Sequence, residues 1–422
     1  LKKAGIVTEP DPGWQVRFLA YGHIPEPYTT LKNVYSLAKG HFLCWDNKKH
    51  KATISSYCRP VNKNYITDAE EAKEHIREAL KAAVNRQLIS DAPIGVFLSG
   101  GVDSSLITLL ANAHKKAQLK TVSIHFDEKA YDESAYQKII LEKIQGEKYN
   151  HLVKQEDFEE CFPTILQSMD MPTTDGINTW FISKYAHEDG LKAVLSGVGA
   201  DELYGGYPSF NRVKYLKYLK KIPSSLFSTT APFVADHYKK IEYLSNDHPL
   251  ALRGLFAPAS IASILDIDVK TVNKILFDDV PVPAATYDEE YAAWMETNLY
   301  MQNQLLRDTD VMSMSHGLEV RVPFLDEDFH NLTMRIAPNI RFNKILAKKI
   351  LIDSFDTILP PNIWNRPKMG FTFPLQSWMQ HSRICDASLY NNKEAQDIIA
   401  GFKNNKVHWS KSFALYQLQT HE

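Results

Sequence analysis

Ser99, Asp103, Ser104 and Ser105 surround a Gly100-Gly101 pair at the end of the apolar run Ile94-Gly95-Val96-Phe97-Leu98, and an apolar helical pattern follows. Such a string is suited to cradling phosphate. Paired glycines let the backbone turn and approach an anion closely, and a helix opening near Val102 aims unpaired N–H groups and the positive end of its dipole at the same point. Ser99, Ser104 and Ser105 add hydroxyl donors. Asp103 can face phosphate only across a cation, so the loop predicts Mg²⁺ together with a nucleotide. The Gly-Lys-Ser/Thr ending of a Walker loop is absent, and the positive charge must come from elsewhere in the chain.

Those residues need a strand behind them and a helix ahead. Upstream, Asp68 stands three residues before Glu71 in an N-cap arrangement, and Ala72, Ile76, Ala79, Leu80, Ala83 and Leu88 recur at helical spacing. A long amphipathic helix thus introduces the loop. Downstream, Thr121 to Phe126 reads as a second buried strand, completing a βαβ unit of a parallel sheet. After a helical stretch at 179–187, Leu191 to Leu195 predicts a third strand that runs into Ser196-Gly197-Val198-Gly199-Ala200-Asp201-Glu202 and Gly205-Gly206-Tyr207. Ligands of open parallel sheets sit beyond the carboxyl ends of the strands, so two Ser-Gly turns at two strand ends predict one crevice. From about Lys214 the pattern is mostly helical. The first sixty residues predict short strands at 16–21, 41–45 and 51–54 around a Pro25-Glu26-Pro27 turn, and 59–67 reads as a linker.

The Ser99 to Ser105 string resembles the pyrophosphate loop of the N-type ATP pyrophosphatases. Three further strings narrow the resemblance: Ser196 to Tyr207, Leu306 to Met314, and Leu318 to Asp326, with Arg366-Pro367-Lys368-Met369-Gly370-Phe371 completing the set. In order and spacing they resemble the synthetase domain of glutamine-dependent asparagine synthetases. That resemblance implies an α/β fold of the adenine nucleotide α-hydrolase type, a parallel sheet with flanking helices over residues 61–422 and a helical C-terminal region. Ala20 to Pro27 and Lys39 to Leu43 resemble the closing strands of the preceding glutaminase domain, so residues 1–60 are expected to be a small β remnant of it. The family's glutaminase uses an amino-terminal cysteine. Leu1 stands first here and Cys44 is the first cysteine, so the chain as written is expected not to hydrolyse glutamine and to be a fragment, or to take ammonia from solution or another subunit.

The resemblance implies that a substrate carboxylate attacks the α-phosphorus of ATP, giving an acyl-adenylate and pyrophosphate, and that ammonia then displaces AMP to form an amide. Aspartate, giving asparagine, is the first acceptor implied. Ser99, Gly100, Gly101, Asp103 and Ser104 would hold the pyrophosphate portion, Asp103 through Mg²⁺. Asp132 would sit near that metal, its plainer reading being a helix cap. Ser196 and Gly197 would line the nucleotide, Asp201 would face the reacting groups, and Lys368 would supply the missing cation. Glu319, Arg321 and Asp326, charges within an apolar string, suggest buried pairs. Well-studied relatives carry a glutamate where this chain has Val198, which cannot move a proton; Asp201, Glu202 or Asp310 would have to act instead. A different acceptor is therefore the alternative, whether a sugar acid, a peptide or an internal amine in β-lactam or lasso-type ring closure. A non-catalytic nucleotide-binding protein is the alternative of another class.

Composition narrows the partners. Across 422 residues the formal net charge is -2 with no polybasic run, so nucleic acid and membrane surfaces gain no electrostatic support. Four scattered cysteines lack Cys-x-x-Cys spacing, which argues against a zinc site, a disulfide framework or the catalytic thiols of tRNA-modifying relatives. No run approaches membrane-spanning length. A cytoplasmic chain with small-molecule substrates is expected, with a homodimer as its candidate assembly.

Overall fold

The protein was analysed as a computed structural model that describes residues 5–6, 9–58, 64–115, 119–219, 243–244, 248–277 and 286–420. The expected 60/61 boundary lies outside them. Helix α1 spans Trp14–Tyr21, β1 His41–Asp46 and β2 Lys51–Ser56; then come α2 (Ala69–Gln87), β3 (Ile94–Phe97), α3 (Val102–Lys115), β4 (Lys120–His125), α4 (Ser134–Leu141), β5 (Glu147–Leu152), α5 (Gln155–Ser168), α6 (Ile177–Glu188), β6 (Ala193–Leu195), α7 (Ala200–Tyr204), α8 (Pro208–Leu219) and, past further helices, β7 (Glu319–Arg321). Among the described residues no helix is long and apolar enough to cross a membrane.

Five strands form one parallel sheet in the order β5-β4-β3-β6-β7. Its two faces bury different residues because side chains alternate along each strand. Val96, Ala193 and Leu195 pack with α2, α3 and Phe324, whereas Val122, Ile124 and Val194 pack with α6 and the aromatic group of Phe181, Phe373 and Trp378. Helix α2 starts as the capping pattern predicts, with Asp68 accepting from the Glu71 N–H at 2.8 Å. It buries Ala72, Ile76, Leu80, Ala83 and Val84. The outer strands β5 and β7 have no apolar run to announce them. Their positions depend on pairing with β4 and β6.

Residues 16–21 are not a strand but part of α1. A continuous apolar run does not reveal its period; here Trp14, Val16, Phe18, Leu19 and Tyr21 are buried together against Phe256, Ile261, Val272 and Leu415 of the helical region. Gly22, at φ 81°, ends the helix by donating its N–H to the Phe18 carbonyl at 2.7 Å. The hairpin β1-β2 forms as expected, in antiparallel register from His41 opposite Ser56 to Asp46 opposite Lys51.

Candidate functional site

Strands β3 and β6 lie side by side and both end in a Ser-Gly turn, so the two loops meet above the sheet. Their contact is close. A Cβ on Gly197 would stand 2.8 Å from the Ser104 nitrogen and 3.0 Å from the Asp103 carbonyl carbon, backbone atoms that cannot yield. In the first loop Gly100 takes φ 86°, a conformation that side chains resist. The loop closes on its own hydroxyls: Ser99 Oγ lies 2.9 Å from Ser104 Oγ, and Ser99 N–H donates to Ser104 Oγ at 3.2 Å. In the second, Ser196 Oγ accepts from the Val198 N–H at 3.4 Å.

Asp103 and Asp201 face each other across a lysine that sequence reasoning missed. Lys348 is 5% exposed and forms ion pairs with both carboxylates. Lys368, nominated from the sequence, reaches the same place from the other side, 2.7 Å from Asp201 and 3.0 Å from the Gly206 carbonyl. Glycine at 206 makes this possible, since a Cβ there would overlap Asp201 Oδ1 and press on Lys348 Cε. Burial opposes the charge on Asp201, but Lys348 and Lys368 outweigh it and hold the carboxyl below its usual range. Burial raises Asp103, with Asp201 adding to the rise and Lys348 opposing it. Burial also works against the Lys348 ammonium, yet the two carboxylates push its pKa up and keep it charged. Lys348 sits at φ 59°, a conformation uncommon outside glycine that marks strain at a site. Its sequence context, Ala347-Lys348-Lys349, looks like a solvated surface pair and carries no other signal.

Arg366 ties the Lys368 loop to the cradle. Its guanidinium donates to the Gly100 carbonyl at 3.1 Å, pairs with Glu133 and lies 3.8 Å from the Tyr136 ring centroid. Asp132, next to Glu133, accepts from Ser134 N–H and Oγ at the start of α4 and does not line the cavity. Glu319, Arg321 and Asp326 are not buried pairs: Arg321 bonds a largely exposed Glu319 and the carbonyls of Gln87 and Ile89, while Asp326 caps a helix and pairs with Arg86. None of the three lines the cavity. The β7 register sends these charges to the sheet edge.

The cavity holds about 1040 Å³ and collects Ser99, Gly101, Asp103, Ser104, Ser196, Gly197, Val198, Asp201, Glu202, Lys348, Arg366 and Lys368. Gly100 does not line it; its carbonyl accepts from Arg366. Glu202 is 1% exposed; Oε1 accepts from Tyr207 Oη at 2.8 Å and Oε2 has no hydrogen-bond partner. Burial, reinforced by Asp201, pushes its carboxyl up to about 7. Asp310 does not line the cavity. Asp103 Oδ1 is likewise buried without a hydrogen bond. Among the described residues no group of three or more His, Cys, Asp or Glu could hold a metal, but two facing carboxylates suit Mg²⁺, which takes one or two protein carboxylates beside phosphate and water. The far wall comes from a π-helical segment, Glu296–Leu305, which supplies Leu299, Tyr300 and Gln304. Such segments are frequent at functional sites.

Comparison with known proteins fits this geometry. Residues 75–400 match the asparagine synthase family. Asparagine synthetase 1 (glutamine-hydrolyzing) of Bacillus subtilis is 26% identical over 382 residues, covering 86% of this chain and 59% of that protein. Putative asparagine synthetase 1 (glutamine-hydrolyzing) of Methanocaldococcus jannaschii is 35% identical over 343 residues, 72% of this chain and 50% of its own. Amidase chry2 of Gibberella zeae is 25% identical over 429 residues, 87% and 63% respectively. The chain therefore spans between half and two thirds of the length of these relatives.

Proposed function

Because the chain belongs to the asparagine synthase family, we propose that it is an ATP-dependent amide-forming ligase that adenylates a carboxylate, releases pyrophosphate and transfers ammonia to the activated acid. One observation carries this reading: Lys348 and Lys368 converge on Asp103 and Asp201 where the two Ser-Gly loops meet. Held in place by these ion pairs, the buried Lys348 and the half-exposed Lys368 suit the charge that develops as the carboxylate attacks the α-phosphorus and pyrophosphate leaves. Asp103 and Asp201 would hold Mg²⁺, which when bound shields phosphate charge as a Lewis acid. Asp132, engaged with Ser134, stands outside that pair. The backbone of Ser99 to Ser104, together with Ser196 and Gly197, would cradle the phosphates.

Ammonia addition requires a proton acceptor, and Val198 offers none. We assign that task to Glu202, whose unpartnered Oε2 and raised pKa suit a base near neutrality. Glu202→Gln is expected to leave pyrophosphate release nearly intact while amide formation falls at least a hundredfold; equal losses in both would remove the assignment.

Aspartate is the first acceptor to test, with ammonium as nitrogen source. Valine at 198, together with similarity to a protein named as an amidase, favours a second reading in which another carboxylate is activated by the same chemistry. Pyrophosphate release with MgATP across aspartate, sugar acids and peptide acids separates the two. Failure to bind MgATP would refute both and leave a non-catalytic protein. Within this reading residues 61–422 form the synthetase-type domain and 1–60 the end of a glutaminase-type domain.

A further inference from the structure

The acidic pair Asp132-Glu133 follows β4 and leads into α4. Asp132 is engaged with Ser134, but Glu133 turns inward. It is 6% exposed and pairs with Arg366, 233 positions away, whose side chain is 8% exposed. The same Arg366 nitrogen, Nη2, also donates to the Gly100 carbonyl, so one amino group joins the first turn of α4 to the phosphate cradle. Behind Gly100 the contact is direct: a Cβ there would stand 3.1 Å from the Gln137 nitrogen and 3.1 Å from Tyr136 Cβ. Gln137 in turn donates from Nε2 to the Ile124 carbonyl of β4 at 2.9 Å. The start of α4 is thus fixed to the sheet on one side and to the cradle on the other, and the guanidinium rests on a rigid base.

The segment that carries Arg366 has little else to hold it. It leaves the short helix Pro361–Trp364 and rejoins the core at Phe371, whose carbonyl accepts from Asn178 Nδ2 at 3.0 Å, and at the buried Phe373. In between, residues 366–369 make no backbone–backbone hydrogen bond among the described residues, and Pro367 and Lys368 are exposed. A long side chain on an unpaired, exposed loop has many conformations to lose before it can meet Asp201. A buried ion pair two residues away removes most of that freedom in advance. Arg366 itself is poorly suited to act on phosphate, since Glu133 neutralises it and the Tyr136 ring covers it at 3.8 Å. Its Nε and Nη1 are buried without a hydrogen bond, so a direct phosphate contact through them is the rival role to be separated.

We propose that Glu133 and Arg366 are positioning residues for Lys368, a tether that binds its loop to the phosphate cradle and keeps the ammonium at a fixed separation from it. The proposal rests on the ligase reading above and explains the acid that follows β4 without placing it at the metal.

Tether and turnover are read separately on the full chain. Lys368 is labelled with an amine-reactive acetyl ester, and its rate is followed by mass spectrometry against that of Lys49, whose side chain is 79% exposed. Glu133→Ala should raise the Lys368 rate at least fivefold and leave Lys49 unchanged; an unchanged Lys368 rate overturns the proposal. Pyrophosphate release with MgATP and the acid that supports it should fall at least thirtyfold in Glu133→Ala and in Arg366→Ala, in kcat rather than in KM for ATP. Because the pair acts through Lys368, the same substitutions made in Lys368→Met should slow the residual release less than threefold. Undiminished losses in that background, or loss of a non-hydrolysable ATP analogue by Arg366→Ala, would show a direct phosphate contact and overturn the tether. If Lys368→Met releases no measurable pyrophosphate, the labelling rate decides alone. Each single variant leaves a buried charge unpaired; should either fail to fold, Glu133→Met combined with Arg366→Met removes both charges and is held to the same outcomes. Faster labelling in a chain that releases no pyrophosphate from any acid refutes the ligase reading alone; release that the variants leave unchanged refutes the tether alone.

Discussion

Lys348 and Lys368 approach the same carboxylate but differ in what their removal should do. The Lys348 side chain is 7% exposed and lies between two acids, so Lys348→Met leaves two buried carboxylates facing each other. A loss of about 3–5 kcal/mol in unfolding free energy is expected, and Mg²⁺ should restore part of it in a thermal melt. Lys368 has a 46% exposed side chain. Lys368→Met should cost under about 1 kcal/mol of stability yet slow pyrophosphate release by at least a hundredfold. Similar melting losses in the two variants would contradict this division. Histidine supplies a separate test: burial holds His23 and His248 down at about 4 in the fold, against about 6.5 when unfolded. Below pH 6.5 the unfolded chain takes up protons that the folded chain refuses, so stability is lost as pH falls from 6.5 toward 4, by roughly 3 kcal/mol for each group. Denaturant unfolding at pH 7.5 and 5 should show the loss, and His248→Asn should remove about half of it.

At the scale of elements, the site depends on two strand ends held at fixed separation. Gly197→Ala sets a Cβ against the Ser104 and Asp103 backbone and should push the β6 loop from the β3 loop, costing about 1–3 kcal/mol and weakening ATP binding at least tenfold. Gly101 meets nothing nearer than 3.5 Å, so Gly101→Ala should fold normally. Calorimetric titration with MgATP on both variants checks the contrast. The strands β3, β4 and β6 were legible because their cores are apolar and bounded by turns. Strand β5, Glu-Lys-Tyr-Asn-His-Leu, was not, because an edge strand can remain polar and form through backbone pairing. Helix α1 was misread for the opposite reason: buried nearly all round, its sequence shows no period.

Across the whole molecule, the hairpin β1-β2 stands apart from the packed cores. Phe42, Leu43, Trp45 and Ile54 are all more than half exposed or at half exposure, and neighbours along each strand point to opposite faces. Such a ribbon invites association. Trp45→Lys combined with Ile54→Lys should reduce self-association in sedimentation while shifting unfolding by no more than about 0.5 kcal/mol. A large loss of stability would show that the ribbon supports the rest of the fold. Sequence alone determined what belongs to local strings: the Ser-Gly-Gly turn with its hydroxyls, the strand behind it and the helix ahead. Tertiary structure decided what depends on convergence from distant parts of the chain. It brought Lys348 to Asp103 across 245 positions, sent Glu319 and Arg321 to an edge and gathered His23, Asp175 and Asp308 on one wall. A local string constrains backbone turns and nearby side chains, whereas a buried charge acquires its meaning from partners that only packing brings within a few ångströms.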